Sequence, residues 1–334
     1  MKVIIERPVF TDPSIDESDL ITLLRLGYQG RHYILTEPAW SPSNPLQEID
    51  DCLKQQSLKL YQECQLALEF GLEEILHPSS FTVRVSCEKK TSRNNEVVLP
   101  LNEAVNFLTL PFKILVEDAI RDRDFLFAIA TVNQELKKEL DDLYNKKWIE
   151  FENGGGLTHM QQRLQEIRRD KQDKMRIWVM FDSDALRPRY PSDDSEKLKR
   201  ICENAIIPYH QLQRRAIENY LPVHALTYWV RKKVNNTQKN QHLVNAFEEL
   251  RSKQRHHFNM KNGFQGDQNR TDKNRVGDLY DDLDDDTRSK LSHGFGGKIA
   301  ELFKDKSAIK DSWLINDEQR VETEAMLNTL LSLI

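Results

Sequence analysis

Two sets of acidic residues stand where a parallel sheet would place chemistry. Asp182 and Asp184 follow the apolar run Ile177-Trp178-Val179-Met180-Phe181, with Ser183 between them. Glu117 follows a second apolar run, Phe112 to Val116. In an open parallel sheet, sites form beyond the carboxyl ends of the strands. Residues two apart on a strand extension share a face, so both aspartates can reach one ion or one pair of ions. The interval from Glu117 to Asp182 has room for two crossover helices and one strand. The two strands can therefore be neighbours, with three carboxylates at one edge. Clustered carboxylates repel, and their pKa values rise unless a cation compensates. Oxygen-only ligands suit Mg²⁺ or Mn²⁺. Such ions activate water and stabilise phosphate oxygens in phosphodiester chemistry. The competing role is capping, with Asp182 or Asp184 at a turn and Glu117 at a helix N-terminus.

These acids need a scaffold, and the pattern predicts one. FKILV (112–116) reads as a buried strand, and a helical run from Phe125 to Tyr144 follows. KWIEFENGGG (147–156) is a strand into a glycine turn, 161–171 a polar helix, and RIWVMFDSD (176–184) the next strand. A helix over 195–204, a strand over 205–210 and a helix over 211–220 complete the series. Strands alternating with helices of this length imply a parallel sheet in an α/β unit.

Upstream, KVII (2–5), FTVRVSC (81–87) and VVLPL (97–101) read as strands, and 46–76 as one long helix or two. Beyond Leu221 the chain turns helical and basic, through WVRKKVNN (229–236) and LRSKQRHHFNMKNGF (250–264). Residues 266–287, with the acidic run DDLDDD, read as a solvated loop. GFGGKIAELFKD (294–305) restarts a helix, and VETEAMLNTLLSLI closes the chain as an amphipathic one. The expected organisation is an N-terminal α/β region over 1–104, a sheet domain over 105–222 and a mainly helical region over 223–334.

Bulk properties narrow the function classes. The 334 residues are 39% hydrophobic and 30% charged, which is the balance of a globular protein. No apolar run is long enough for a membrane span, and the start lacks a signal-peptide pattern. Cys52, Cys64, Cys87 and Cys202 form no CxxC pair, which argues against metal ribbons and a disulfide framework and for a reducing cytoplasm. The net charge of −5 argues against coating nucleic acid through global charge, and leaves local basic patches open.

Taken together, ILVED…DRDFL, ENGGG, VMFDSDALRP and HQLQRRAIENYLP resemble a Toprim domain, in which a glutamate follows the first strand and Asp-x-Asp a later one. With RRAIENYL and HHFNMKNGF, the sequence looks most like the OLD (overcoming lysogenisation defect) nucleases and stand-alone Toprim effectors of bacterial phage defence. The resemblance covers roughly residues 108–305. It implies a Toprim-like parallel sheet and a metal-dependent endonuclease acting on DNA or RNA, tRNA included. It implies Glu117 as metal ligand or general base, Asp182 and Asp184 as ligands to Mg²⁺ or Mn²⁺, and Glu218 as the extra acid for a second ion. One departure is Asp118, which stands where the family usually has glycine. Asp118, Asp122 and Asp124 then compete for a further acidic role, with Asp122 the first choice. Lys261 of MKNG would join the catalytic set. No Walker pattern is present, so an ATPase partner is expected beside the nucleic acid. The region over 1–104 is a candidate partner or homodimer interface.

Other features carry less. Glu218 can alternatively form an i,i+4 pair with Arg214. Asn153-Gly154-Gly155-Gly156 suits phosphate contact or a tight turn equally. Arg255, His256 and His257 suit a scissile phosphate or a solvated helix face. Lys232 and Lys233 read as surface charge, and DDLDDD lacks the glycine and closing glutamate of a calcium loop. The rival from another class is a non-catalytic Toprim-like binding or assembly module. A primase-type polymerase is weaker, because nucleotide-binding features are missing.

Overall fold

The computed structural model describes residues 1–37, 47, 58–73, 81–88, 96–167, 171–232, 237–268, 277–309, 313 and 319–334. The fold is α/β, with two four-stranded parallel sheets flanked by helices. The first sheet has the order β2-β1-β3-β4, from β1 (Lys2–Ile5), β2 (Tyr33–Thr36), β3 (Thr82–Val85) and β4 (Glu96–Leu99). Helices α1 (Glu17–Tyr28), α2 (Leu58–Glu73) and α3 (Leu101–Thr109) accompany it. Leu101, expected to end a strand, opens α3 behind the Pro100 N-cap. The boundary expected at 104–105 falls inside α3. Much of the helical stretch expected over 46–76 lies outside the described residues, and α2 is its described part.

The second sheet has the order β6-β5-β7-β8, from β5 (Phe112–Val116), β6 (Ile149–Asn153), β7 (Ile177–Phe181) and β8 (Tyr209–Gln211). β5 and β7 are parallel neighbours, with Leu115 opposite Val179. All five residues of β7 are buried, as befits a strand covered on both faces. Leu115, Ile177, Val179 and Phe181 meet α6 (Leu157–Ile167) and α7 (Asp193–Ala205) in one cluster. Ile114, Val116, Trp178 and Met180 face the larger cluster, which runs into the N-terminal sheet and the C-terminal helices.

Two helical expectations fail for local reasons. The run over 125–144 is two helices, α4 (Arg121–Ala130) and α5 (Gln134–Asn145). Asn133 interrupts it by accepting the Glu135 N–H at 2.9 Å, an N-cap that starts a new axis. The helix expected over 211–220 does not form. Gln211 pairs in β8, and the next residues bond to neighbouring segments rather than to themselves. Ser183 Oγ donates to Arg214 O at 2.6 Å, the Asp184 N–H to Arg215 O at 2.8 Å, and the Arg215 N–H to His256 O at 3.0 Å. Only Ile217–Tyr220 closes, as a 3₁₀ turn.

The C-terminal part contributes α8 (Val223–Lys232), α9 (Thr237–Glu249), α10 (Ser252–His257), α11 (Asp285–Lys290) and α12 (Gln319–Leu333). The segment 294–305 restarts as a 3₁₀ turn over Ile299–Lys304. Residues 269–276 of the expected solvated loop lie outside the described residues. The rest is tied down: Tyr280 donates to Gln254 O, Gln254 Nε2 to Leu279 O, and Arg215 clamps Asp267 with two bonds of 2.7 Å. Among the described residues no helix is long and apolar enough to cross a membrane.

Candidate functional site

Parallel pairing brings the ends of β5 and β7 together, and the first residues beyond them are acidic. The Asp182 N–H donates to Glu117 Oε1 at 3.0 Å. Asp182 Oδ1 accepts the Ile217 N–H at 3.2 Å, which ties the 3₁₀ turn to the same edge. That turn places Glu218, only 1% exposed, beside these acids. Its expected partner Arg214 is elsewhere, with Nη1 donating to Asn219 O at 2.8 Å and the guanidinium over the Tyr220 ring. Glu218 faces Lys261 instead, Nζ to Oε1 at 3.1 Å. The approach is an ion pair outside hydrogen-bond geometry. Among the described residues Lys261 is the one cation against the Glu218 carboxylate.

Lys261 arrives through two meeting glycine turns. The Phe295 N–H donates to Met260 O at 2.7 Å and the Gly296 N–H to Lys261 O at 3.0 Å, which joins MKNG to GFGG. Gly263 sits at φ +60°, where a Cβ would lie 2.2 Å from Leu291 O. Asn219 adds a brace, donating through Nδ2 to Arg255 O and Phe258 O.

The competing acids at the start of α4 and in the turn before it separate by their partners. Asp118 Oδ1 accepts the N–H groups of Ile120 and Arg121, and Asp124 pairs with Arg123 at 2.8 Å. Asp122 is buried, its Oδ2 accepting the Asp118 N–H at 2.9 Å, and it feels the charges of Glu117 and Glu218. Asp184 adopts a left-handed φ of +51° and contributes its charge to Glu117 and to Arg215. The structure thus brings Glu117, Asp122, Asp182, Asp184, Glu218 and Lys261 together.

The electrostatics follow from crowding under a protein wall. Burial, reinforced by the charges of Asp184 and Glu218, pushes Glu117 up to about 7 against the pull of the Asp182 N–H and Lys261. Burial and then Glu117 and Glu218 push Asp122 up to about 8. Asp182 rises well above the carboxylate range, from burial first and then Glu117 and Glu218. Glu117 and Asp182 keep some surface open at the mouth of the site, yet desolvation still dominates because protein surrounds them on the other sides. Burial disfavours the Lys261 ammonium, but Glu218, Asp182 and Glu117 outweigh it and raise its pKa. The donor set is hard oxygen, the ligand type that a hard divalent cation takes, with Lys261 as the cation paired to Glu218. Among the described residues no three Asp, Glu, His or Cys side chains stand close enough to form a ready-made ion site.

The basic stretch behaves differently from its sequence. His257 is 4% exposed, its Nδ1 3.1 Å from Ala185 O, and Arg255 donates to Glu248 O and Leu250 O. Burial, with the nearby arginines, pushes His256 down to about 3 and His257 down to about 4. Gly154 and Gly155 bond back to Val116 O and Glu117 O, the tight-turn role. Sequence reasoning missed Glu322 on α12. Its Oε1 accepts the Gln213 N–H at 2.8 Å and lies 3.0 Å from His210 Nε2, and its Oε2 accepts the Tyr220 hydroxyl at 2.8 Å. A lone glutamate opening a terminal helix gave no signal for this. No family model, curated protein or solved structure matches the chain.

Proposed function

We propose that the chain is a Toprim-type, metal-dependent nuclease of the OLD-like kind, cutting phosphodiester bonds in DNA or RNA. The observation that carries this is three carboxyl groups, Glu117, Asp182 and Glu218, acting on one ammonium at the carboxyl edge of a parallel sheet, with Asp122 and Asp184 adding their charge to those acids. The strand order supports the Toprim reading, because the glutamate follows the first strand of the second sheet and Asp-x-Asp its third. Glu117, Asp122, Asp182, Asp184 and Glu218 would hold Mg²⁺ or Mn²⁺, which when bound lowers the pKa of a coordinated water and neutralises phosphate oxygens. Glu117 would serve either as a ligand to the ion or as the general base. Lys261 offers an ammonium to the phosphate once Glu218 turns to the metal. Restraint by an ATPase partner and a role in phage defence belong to the same proposal and rest on the resemblance.

One observation favours the second reading, a non-catalytic binding module. Lys261 already stands in the cluster as a balancing cation. Incubation with plasmid DNA and, separately, total tRNA, with Mn²⁺, Mg²⁺ or EDTA, decides between them. The proposal expects metal-dependent cleavage of one polymer that is lost in Asp182→Ala. Cleavage that survives Asp182→Ala or EDTA contradicts it.

A further inference from the structure

Behind the aspartate segment lies a recess of about 580 Å³. Its walls are the segment after β7 (Ser183, Ala185, Pro188, Arg189), the exit of β8 (Gln213, Arg214) and α10 (Lys253, His256, His257). The size suits one small ligand of nucleotide dimensions. Among the described residues its lining carries Arg189, Lys253 and Arg214, the last engaged by Asn219 O and the Tyr220 ring, and the lining acid Glu322 is engaged by His210, Gln213 and Tyr220. Arg189 and Lys253 are exposed and make no ion pair among the described residues. The two histidines are held neutral by burial and by the arginines, so they add no charge to the recess. Arg189 sits at φ +68°, uncommon outside glycine, between Pro188 and Pro191. The next residue, Tyr190, is 46% exposed and has the Arg187 guanidinium 3.7 Å over its ring. Rigid aromatic and guanidinium surfaces of this kind stack on bases.

The recess and the carboxylate cluster share one stretch of chain. Ser183 and Ala185 line the recess, while the alternating residues Asp182 and Asp184 belong to the cluster. Ser183 Oγ on Arg214 O fixes that stretch. A strand whose phosphodiester lies on the carboxylates therefore has a cationic pocket for a neighbouring nucleotide. We propose that this recess binds one phosphorylated nucleotide of a nucleic-acid strand and sets its register on the carboxylate site. The inference deepens the nuclease reading and rests on it for the identity of the strand. Arg189 and Lys253 take the phosphate, and Gln213 meets the nucleoside.

Fluorescence anisotropy in EDTA, where nothing is cut, tests the recess separately from catalysis. The full chain is titrated into 5′-phosphorylated hexanucleotides of DNA and of RNA. Arg189→Ala/Lys253→Ala is expected to weaken binding of one of them by about tenfold or more, with a shallower salt dependence. Both side chains are exposed, so the variant folds. Lys59→Ala/Lys138→Ala, which removes the same charge elsewhere, is expected to bind within about twofold of the parent. Inorganic phosphate should compete with the parent and not with the recess variant. Equal binding by the recess variant, equal loss in the control, or no binding of either hexanucleotide overturns the proposal. So does adenosine monophosphate binding as tightly as the hexanucleotides, which would make a free nucleotide the ligand. Recess-dependent binding without any metal-dependent cleavage would sink the nuclease reading and leave the recess as a strand-binding site.

Discussion

The backbone N–H of Asp182 donates to the carboxylate of Glu117 at 3.0 Å. This bond joins the ends of two central strands through an acid that burial has pushed up to about 7. Glu117→Gln keeps an oxygen for the bond and removes the charge. The expected result is a Tm equal to or above the parent's, with cleavage lower by at least about a hundredfold. A Tm several degrees lower would show that the charge stabilises the fold.

The raised acids make stability depend on pH. Glu117 moves from 4.5 to about 7 and Asp122 from 3.8 to about 8, and Asp182 shifts the same way. Between those limits, and against the opposite contribution of the buried His256 and His257, these acids hold more protons in the folded chain than in the unfolded one, so their stabilisation falls as pH rises. It is fully present below about pH 4 and declines through pH 7 to 8. Thermal melts in EDTA from about pH 5.5 to about pH 8.5 should show the parent's Tm falling relative to that of Asp122→Asn, with added Mg²⁺ shrinking the difference. Asp122→Asn, which still accepts from the Asp118 N–H, should reduce the slope. A Tm difference between the parent and Asp122→Asn that stays flat or rises with pH over this range in EDTA contradicts the account.

Glu218 and Lys261 hold each other in an asymmetric way, one 1% exposed and the other 42% exposed at the side chain. Lys261→Met leaves the Glu218 charge buried with Lys261's compensation removed. The expected cost is roughly 2–3 kcal/mol, below a fully buried pair because water reaches the lysine side. Urea denaturation of Lys261→Met and Glu218→Gln/Lys261→Met checks this, since the double variant should regain most of the loss. If both are equally destabilised, the loss comes from the lysine stem and not from the charge.

Glu322 binds α12 to the turn carrying Glu218. Glu322→Ala leaves the Gln213 N–H and the Tyr220 hydroxyl without their acceptor. The expected loss is about 2–4 kcal/mol, read from the urea midpoint, with cleavage reduced because Glu218 loses its support. Tyr220→Phe removes one of these bonds and should cost about 1 kcal/mol. Equal losses in the two variants would show that the other two contacts of Glu322 contribute nothing.

The carboxylate edge was legible because period and length are local. FKILV and IWVMF read as buried strands, and each delivers its acids at its carboxyl end. The choice of Asp122 over Asp118 and Asp124 was not legible, since it depends on which backbone N–H each oxygen meets. The stretch after β8 has helical composition but spends its backbone bonds on Ser183, Asp184 and His256, which are distant in sequence. His257 read as exposed because the burial of a short polar helix is a tertiary property. Glu322 was invisible for the same reason, as its partners lie more than a hundred residues away.

The central claim is that these carboxylates form a divalent-cation site. Calorimetric titration of Mn²⁺ at pH 7.5 into the parent and into Asp182→Asn tests it most directly, repeated in two buffers of different ionisation enthalpy. The account predicts saturable binding by the parent with proton release, because Asp122 and Glu117, at about 8 and about 7, are partly protonated when metal-free. It predicts loss of that binding in Asp182→Asn. No saturable binding by the parent up to millimolar Mn²⁺, or undiminished binding by Asp182→Asn, would contradict it.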